Sequence, residues 1–223
     1  MEENFDALNH TALAKKLASR DANIITGYLI DAKVRINQIL VYKLDPSNFQ
    51  NYIDDDKKLD EISLCYSVLE ILRKICSYGV ISPSKHSLWS MLSLYNDRSL
   101  KTLNYAVSPS DMQPRIIING NSAIPESFCY VFQCILDMEL HDDGLKEEAW
   151  LFLCLERKLL AKYLAMILET SDIASILYHR WSLLRRHNDA SHLVHHFMNL
   201  NQVNFDCFTQ RFYSQSKFTL SHI

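Results

Sequence analysis

Leu145-Lys146-Glu147-Glu148-Ala149-Trp150-Leu151-Phe152-Leu153-Cys154-Leu155-Glu156-Arg157-Lys158-Leu159-Leu160-Ala161-Lys162-Tyr163-Leu164-Ala165-Met166-Ile167-Leu168-Glu169 is the stretch that decides the fold. It contains no glycine or proline, and it is far too long for a single strand. Trp150, Phe152, Leu153, Leu155, Leu159, Leu160, Tyr163, Leu164 and Ile167 go most of the way round a helix. A helix apolar on nearly every side is central to a bundle or lies in an oligomer interface. Glu147 and Glu148 fall in its predicted first turn, where the helix dipole favours carboxylates.

Working outward, the same period recurs on both sides. Upstream, Ala22 to Leu44 carries Ile24, Ile25, Tyr28, Leu29, Ile36, Ile39, Leu40 and Tyr42, and Pro46 stops the helix. A second long helix runs from about Leu59 to Tyr78, with Ile62, Cys65, Tyr66, Leu69, Leu72 and Cys76 on one face and Gly79 as its stop. A third opens at Ser82-Pro83, where serine caps and proline suits the first turn, and carries Leu88, Trp89, Leu92 and Leu94. Another covers about Glu126 to Glu139. Downstream, Ser171-Asp172 starts a helix to about His187, Asn188 can cap one to Leu200, and a last one covers about Phe205 to Tyr213. The expected fold is all-α, a single bundle of about nine helices with one long irregular segment at about 96–125. In that segment stand Asn119-Gly120-Asn121, a turn, and Arg115 to Ile118, which could be a short strand but, with no partner strand visible, is read as extended chain packed on helices.

Residues 1–20 carry only a thin stripe, Phe5, Leu8, Leu13 and Leu17, which predicts a helix that needs a partner for stability. The domain proper is expected over 21–213, with a frayed tail at 214–223. Gly144 to Trp150 is like one armadillo-repeat helix, but it occurs once, and a solenoid needs repetition.

Composition narrows the function classes. Apolar residues make up 48% of 223, enough for a sizeable core, while 4 glycines and 5 prolines are too few for an all-β fold. A formal net charge of −3 lacks the basic footprint of a nucleic-acid binder. No apolar run reaches the length of a membrane span, which predicts a soluble chain. The 6 cysteines form no C-x-x-C pair and mostly sit inside apolar runs. With no signal-peptide pattern, they read as reduced, buried thiols of an intracellular protein.

Candidate chemistry is sparse. Of 9 histidines, His192, His195 and His196 stand at helical spacings of three and four, so two of them could face one metal ion. A solvated polar face beside Leu193, Val194 and Phe197 explains them as well. His141-Asp142-Asp143 reads as a helix cap. Arg180, Arg185, Arg186 and His187 could meet phosphate, or form a salt-bridged helix end. Phe205, Phe208, Phe212 and Tyr213 either close the core or line a groove for another chain's helix or peptide. No nucleophile elbow, H-E-x-x-H, P-loop or G-x-G-x-x-G occurs, which argues against an enzyme.

One succession of elements is more specific. Gly27-Tyr28-Leu29-Ile30-Asp31 opens the first long helix, and Asn48-Phe49 and Tyr52 follow it. A helix then ends in Val68-Leu69-Glu70-Ile71-Leu72-Arg73-Lys74-Ile75, and Ile81-Ser82-Pro83-Ser84-Lys85-His86-Ser87-Leu88-Trp89 comes next. Over roughly residues 22–95 this resembles the telomere-repeat-factor homology (TRFH) domain, an all-helical dimerisation and peptide-docking module. The chain departs from the family's DNA-binding members in lacking a basic Myb domain, so it looks like a shelterin bridge that keeps only the protein-binding domain. The resemblance implies a non-enzymatic adaptor in the nucleus, at chromosome telomeres. It would join a Rap-type telomere protein on double-stranded repeats to the partner of the single-strand end-binding protein, through two peptide- or helix-docking sites. It also implies self-association as a homodimer. One partner is expected on Phe5, Leu8, Leu13 and Leu17, and the other near Leu88 and Trp89 or Phe208 and Phe212. No cofactor is implied in isolation; a zinc ion shared with a partner would take His10 as this chain's ligand. The alternatives are an armadillo-like scaffold of another complex and a helical metal-dependent hydrolase.

Overall fold

The computed structural model describes residues 3–45, 60–82, 87–104 and 124–212; for 3–14, 100–104, 124–127 and 171–172 it describes the backbone alone. These form nine α-helices and two 3-10 turns, with no strand among the described residues. The helices are α1 (Glu3–Leu44), α2 (Glu61–Ser77), α3 (Ser87–Asn104), α4 (Ile124–Asp137), α5 (Asp143–Glu156), α6 (Leu160–Glu169), α7 (Ser171–Leu177), α8 (His187–Met198) and α9 (Cys207–Phe212). The 3-10 turns span Leu183–Arg185 and Asn199–Gln202.

The all-α expectation holds, and α5 is its centre. Every residue from Ala149 to Leu155 is buried, and the helix packs against α2, α3, α4, α6 and α9. Burying a large apolar side chain contributes roughly 1.5–3 kcal/mol, so this unbroken buried run supplies a substantial share of the core. Trp150, Phe152 and Tyr163 are fully buried, and Phe128 of α4 meets Tyr163 edge-on at 5.1 Å between ring centroids. Trp89 stacks on Phe132 at 4.7 Å, joining α3 to α4.

Glu147 and Glu148 do more than meet a helix dipole. Glu147, 1% exposed, accepts from Arg73 Nε at 2.6 Å and from the Trp89 backbone N–H at 3.0 Å. Glu148 accepts from Tyr66 Oη at 2.6 Å and from Arg211 Nε at 2.9 Å. Two adjacent carboxylates therefore tie α5 to α2, α3 and α9, and each buried charge is paired, as burial demands.

Four boundaries differ from expectation. The predicted helix over 145–169 is two helices, because Lys158 adopts the left-handed conformation (φ 59°). Its N–H bonds Leu155 O at 3.1 Å and the Leu159 N–H bonds Cys154 O at 2.8 Å, a Schellman stop built without the glycine that usually marks one. The predicted helix to His187 ends at Leu177, where Tyr178 leaves to pair with Val80. Of the irregular segment predicted at 96–125, residues 96–104 are helical in α3; the Arg115–Ile118 and Asn119–Asn121 readings lie outside the described residues, as does the tail at 214–223. Finally α1 runs unbroken through residues 20 and 21, where the sequence suggests a break between two helices.

Candidate functional site

The element that sets up the most distinctive surface is not a helix. Just past the end of α2 stands Gly79, whose φ of +75° suits glycine, and a Cβ there would come within 2.8 Å of Ser182 Cβ. That close approach lets two extended segments pair. Val80 and Tyr178 form an isolated antiparallel bridge, with Ile81 N–H to Leu177 O at 2.9 Å and His179 N–H to Gly79 O at 2.8 Å. Ser182 Oγ donates to Tyr78 O at 2.9 Å, and Arg185 Nη1 donates to Tyr178 O at 3.2 Å. The backbone around residues 78–82 and 177–185 is thus fixed by main-chain bonds and short side-chain clamps.

On this base stands an exposed tryptophan. Trp181, 43% exposed, stacks on His179 at 5.3 Å and 12°, and meets the Tyr78 ring edge-on at 5.2 Å. Tyr78 is itself held by Tyr28 at 5.5 Å and by donating to Asp21 Oδ1 at 2.9 Å. Burial, with the Asp21 carboxylate adding to it, pushes the Tyr78 phenol up to about 12, so it stays a donor through the physiological range. Ile81 and Ile176 are exposed on either side of the bridge, and Arg180 is exposed beside Trp181. A rigid tryptophan among exposed isoleucines and arginine has the composition of a protein-interaction hot spot.

Beside the platform α6, α7 and α8 enclose a cleft of about 580 Å³. Ala165, Leu168, Ala174, Leu184, Ala190 and Val194 give it an apolar lining, and Arg185, His187 and His195 bring polar groups. Arg185 belongs to both regions through its bond to Tyr178.

Few of the residues singled out in the sequence share this surface. Leu88, Trp89, Phe208 and Phe212, expected to meet a partner, are buried in the core. Trp89 packs on Phe132, Phe212 packs on Phe152 and Phe208, and Leu88 belongs to the same core, which leaves them little face to offer. The aromatic last helix therefore closes the core. Leu17 is exposed on α1, while Phe5, Leu8, His10 and Leu13 lie in α1 with side chains outside those described. His192 and His195 are exposed on α8, and burial, with Lys33, His195 and His192 adding, holds the His196 imidazole below its usual 6.5. Among the described residues no three His, Cys, Asp or Glu side chains gather as metal ligands would. The arginine strip divides: Arg186 pairs with Asp189 at 2.7 Å at the start of α8, Arg185 clamps Tyr178, and Arg180 stands on the platform. Trp181, His179, Ile81 and Ile176 escaped sequence reasoning. The signal was an aromatic preceded by histidine and arginine between two periodic segments, and the segment it pairs with lies far away in sequence.

Compared with known protein families, residues 72–210 match the RUN domain. The match runs from within α2 to α9, and so covers most of the helical core, the bridge and the cleft. The chain belongs to the RUN domain family. The TRFH resemblance is thereby overturned, and with it the telomere bridge and its partners, the Rap-type telomere protein and the partner of the single-strand end-binding protein. The residues that carried it explain the error. An apolar helix ending at Ile75 and a Ser-Pro step before Leu88 are boundary signals that any helical domain supplies. RUN domains are protein-interaction domains. In this one the helix α1 lies upstream of the matched residues.

Proposed function

We propose that this RUN domain is a signalling adaptor that binds a small GTPase of the Rap or Rab type. Family membership supports the partner class. The observation that carries the location is Trp181, exposed yet held between His179 and Tyr78 on backbone tied by the Val80–Tyr178 bridge. Pre-organised aromatic anchors bind with little ordering cost. On this reading the chain acts by holding a partner, not by turning over a substrate, and Arg180, Ile81 and Ile176 are exposed on or next to the two paired segments. The test is binding of the full chain to purified Rap and Rab GTPases loaded with GDP or a non-hydrolysable GTP analogue. Nucleotide-dependent binding is expected, and Trp181→Ala should weaken it by about 2 kcal/mol, a hot-spot loss, at unchanged helicity. No binding in either nucleotide state, or an affinity indifferent to Trp181→Ala, would sink the proposal.

A further inference from the structure

Over its C-terminal part α1 is apolar on two opposite faces. One face is spent on the core: Ile25, Ala32 and Ile39, seven residues apart, are buried, with Ile36 beside them. Through this side α1 packs on α2, α8 and the 3-10 turn at Asn199–Gln202. The opposite face carries a second line at alternating spacings of four and three, namely Asn23, Gly27, Ile30, Val34, Asn37, Val41 and Leu44. Every one of them is exposed, Ile30 by 58% and Leu44 by 62%. Extended towards the N-terminus, the same spacing passes through Arg20 and Lys16, which are exposed as well.

Alternating three-four spacing is the seam of a coiled coil, and a polar Asn at a seam position specifies register. Asn37 interrupts the apolar stretch, and Asn23 stands two heptads before it, next to the basic end. Two details fit a helix as occupant. Gly27 has nothing within 4 Å of where a Cβ would stand, so packing inside this chain gives no reason for a glycine in mid-helix. On the seam it lets another helix come close. The stripe is also too narrow, and interrupted by asparagine, for burial in a lipid surface, which favours a broad apolar face.

We infer that this face of α1 docks a helix of a different protein, apolar opposite Ile30 to Leu44 and acidic opposite Arg20 and Lys16. Charge selects that occupant over a second copy. Parallel self-pairing would match each asparagine with its own counterpart, but it would do the same with Arg20 and Lys16, two like-charge contacts that disfavour it. Antiparallel self-pairing over the apolar stretch would set Asn37 against Val34 or Val41 and strand its amide. A partner with carboxylates at one end and polar residues facing Asn23 and Asn37 meets both demands. The inference is independent of the GTPase reading, since the outer line of α1 includes neither Asp21 nor Tyr28, the α1 residues that hold Tyr78, and α1 lies outside the matched residues.

The probe is a synthetic helix long enough to span Lys16 to Leu44, with leucine and isoleucine along its seam, asparagine facing Asn23 and Asn37, and glutamates facing Arg20 and Lys16. It is made in the two sequence orders that suit parallel and antiparallel docking, beside twins with lysine in place of those glutamates. Fluorescence anisotropy against the full chain should show the glutamate helix binding in one order, and its lysine twin at least an order of magnitude more weakly. Val34→Asp should remove binding while helicity and Tm stay unchanged, and the double variant K16E/R20E should reverse the preference. The proposal is overturned if neither helix binds, if both bind alike, or if binding survives Val34→Asp. It is equally overturned if the chain sediments as a dimer that Val34→Asp dissociates, or if anionic vesicles and not the peptide take up this face.

Discussion

α5 and α1 are both rich in apolar residues and differ in where those residues go. α5 buries every residue from Ala149 to Leu155, while α1 buries one line and leaves a second in solvent. The difference lies in neighbours. α5 is surrounded by five helices, whereas α1 rests on the bundle along one side. Apolar content therefore says how much a helix can bury, and its position in the bundle says how much it does.

The contrast can be broken first at its strongest point. Trp150→Ala should destabilise the chain by about 3–5 kcal/mol, the range for a large aromatic deleted from a packed core, measured by urea unfolding. Trp150→Phe should cost less, because it also removes a buried ring N–H with no hydrogen-bond partner among the described residues. On the inner line of α1, Ile39→Ala should cost about 2–4 kcal/mol by the same measurement, since the side chain is fully buried although its helix is peripheral. An Ile39→Ala loss below that of an exposed residue would mean that α1 is not part of the folded core.

Between the two helices, Gly79→Ala should cost about 1–3 kcal/mol, because it puts a Cβ into a left-handed residue and against Ser182. Thermal unfolding should show the loss, and NMR shifts should concentrate at Trp181. Smaller is the cap of α2. Asp60 accepts from the Ser63 N–H at 2.7 Å, and the Ser63 hydroxyl, then its backbone, hold the Asp60 carboxyl below its usual 3.8. Asp60→Ala should cost about 1 kcal/mol at neutral pH. A folded-state pKa below the unfolded one gives stability that is present above 3.8 and lost as pH falls below that value through the lower folded-state pKa, so the penalty should shrink in acid. At the bottom of the scale, Val34→Ser on the outer line should change stability by no more than about 0.5 kcal/mol, as exposed positions do. A large loss there would show that the outer line is core and would remove the contrast altogether.

How much of this could be read from the sequence follows from the range of each interaction. Periodicity exposed the helices because residues three and four apart share a face, and the inward line of α1 was read through Ile25, Ile36 and Ile39. The outward line of Ile30, Val34 and Val41 passed unremarked, since one apolar set already accounted for a helix. The stop at Lys158 was hidden because a lysine carries the left-handed conformation that glycine normally advertises. Trp181 was hidden for another reason. Its support comes from Tyr78 and Gly79, and no local pattern joins those residues to it. The core aromatics Trp89, Phe208 and Phe212 were visible as large side chains, but only the fold decides whether such side chains face inward or outward.

The bridge between Val80 and Tyr178 has a consequence for how this surface can change over time. Its shape is held by main-chain hydrogen bonds and by Gly79, so Ile81, Ile176 and Arg180 carry little of the folding free energy. Substitutions at those three positions can accumulate without eroding the domain beneath them. A gene duplicate could thereby acquire a new binding preference in single steps, each tolerated by the scaffold, while a change at Gly79 would disturb every preference at once.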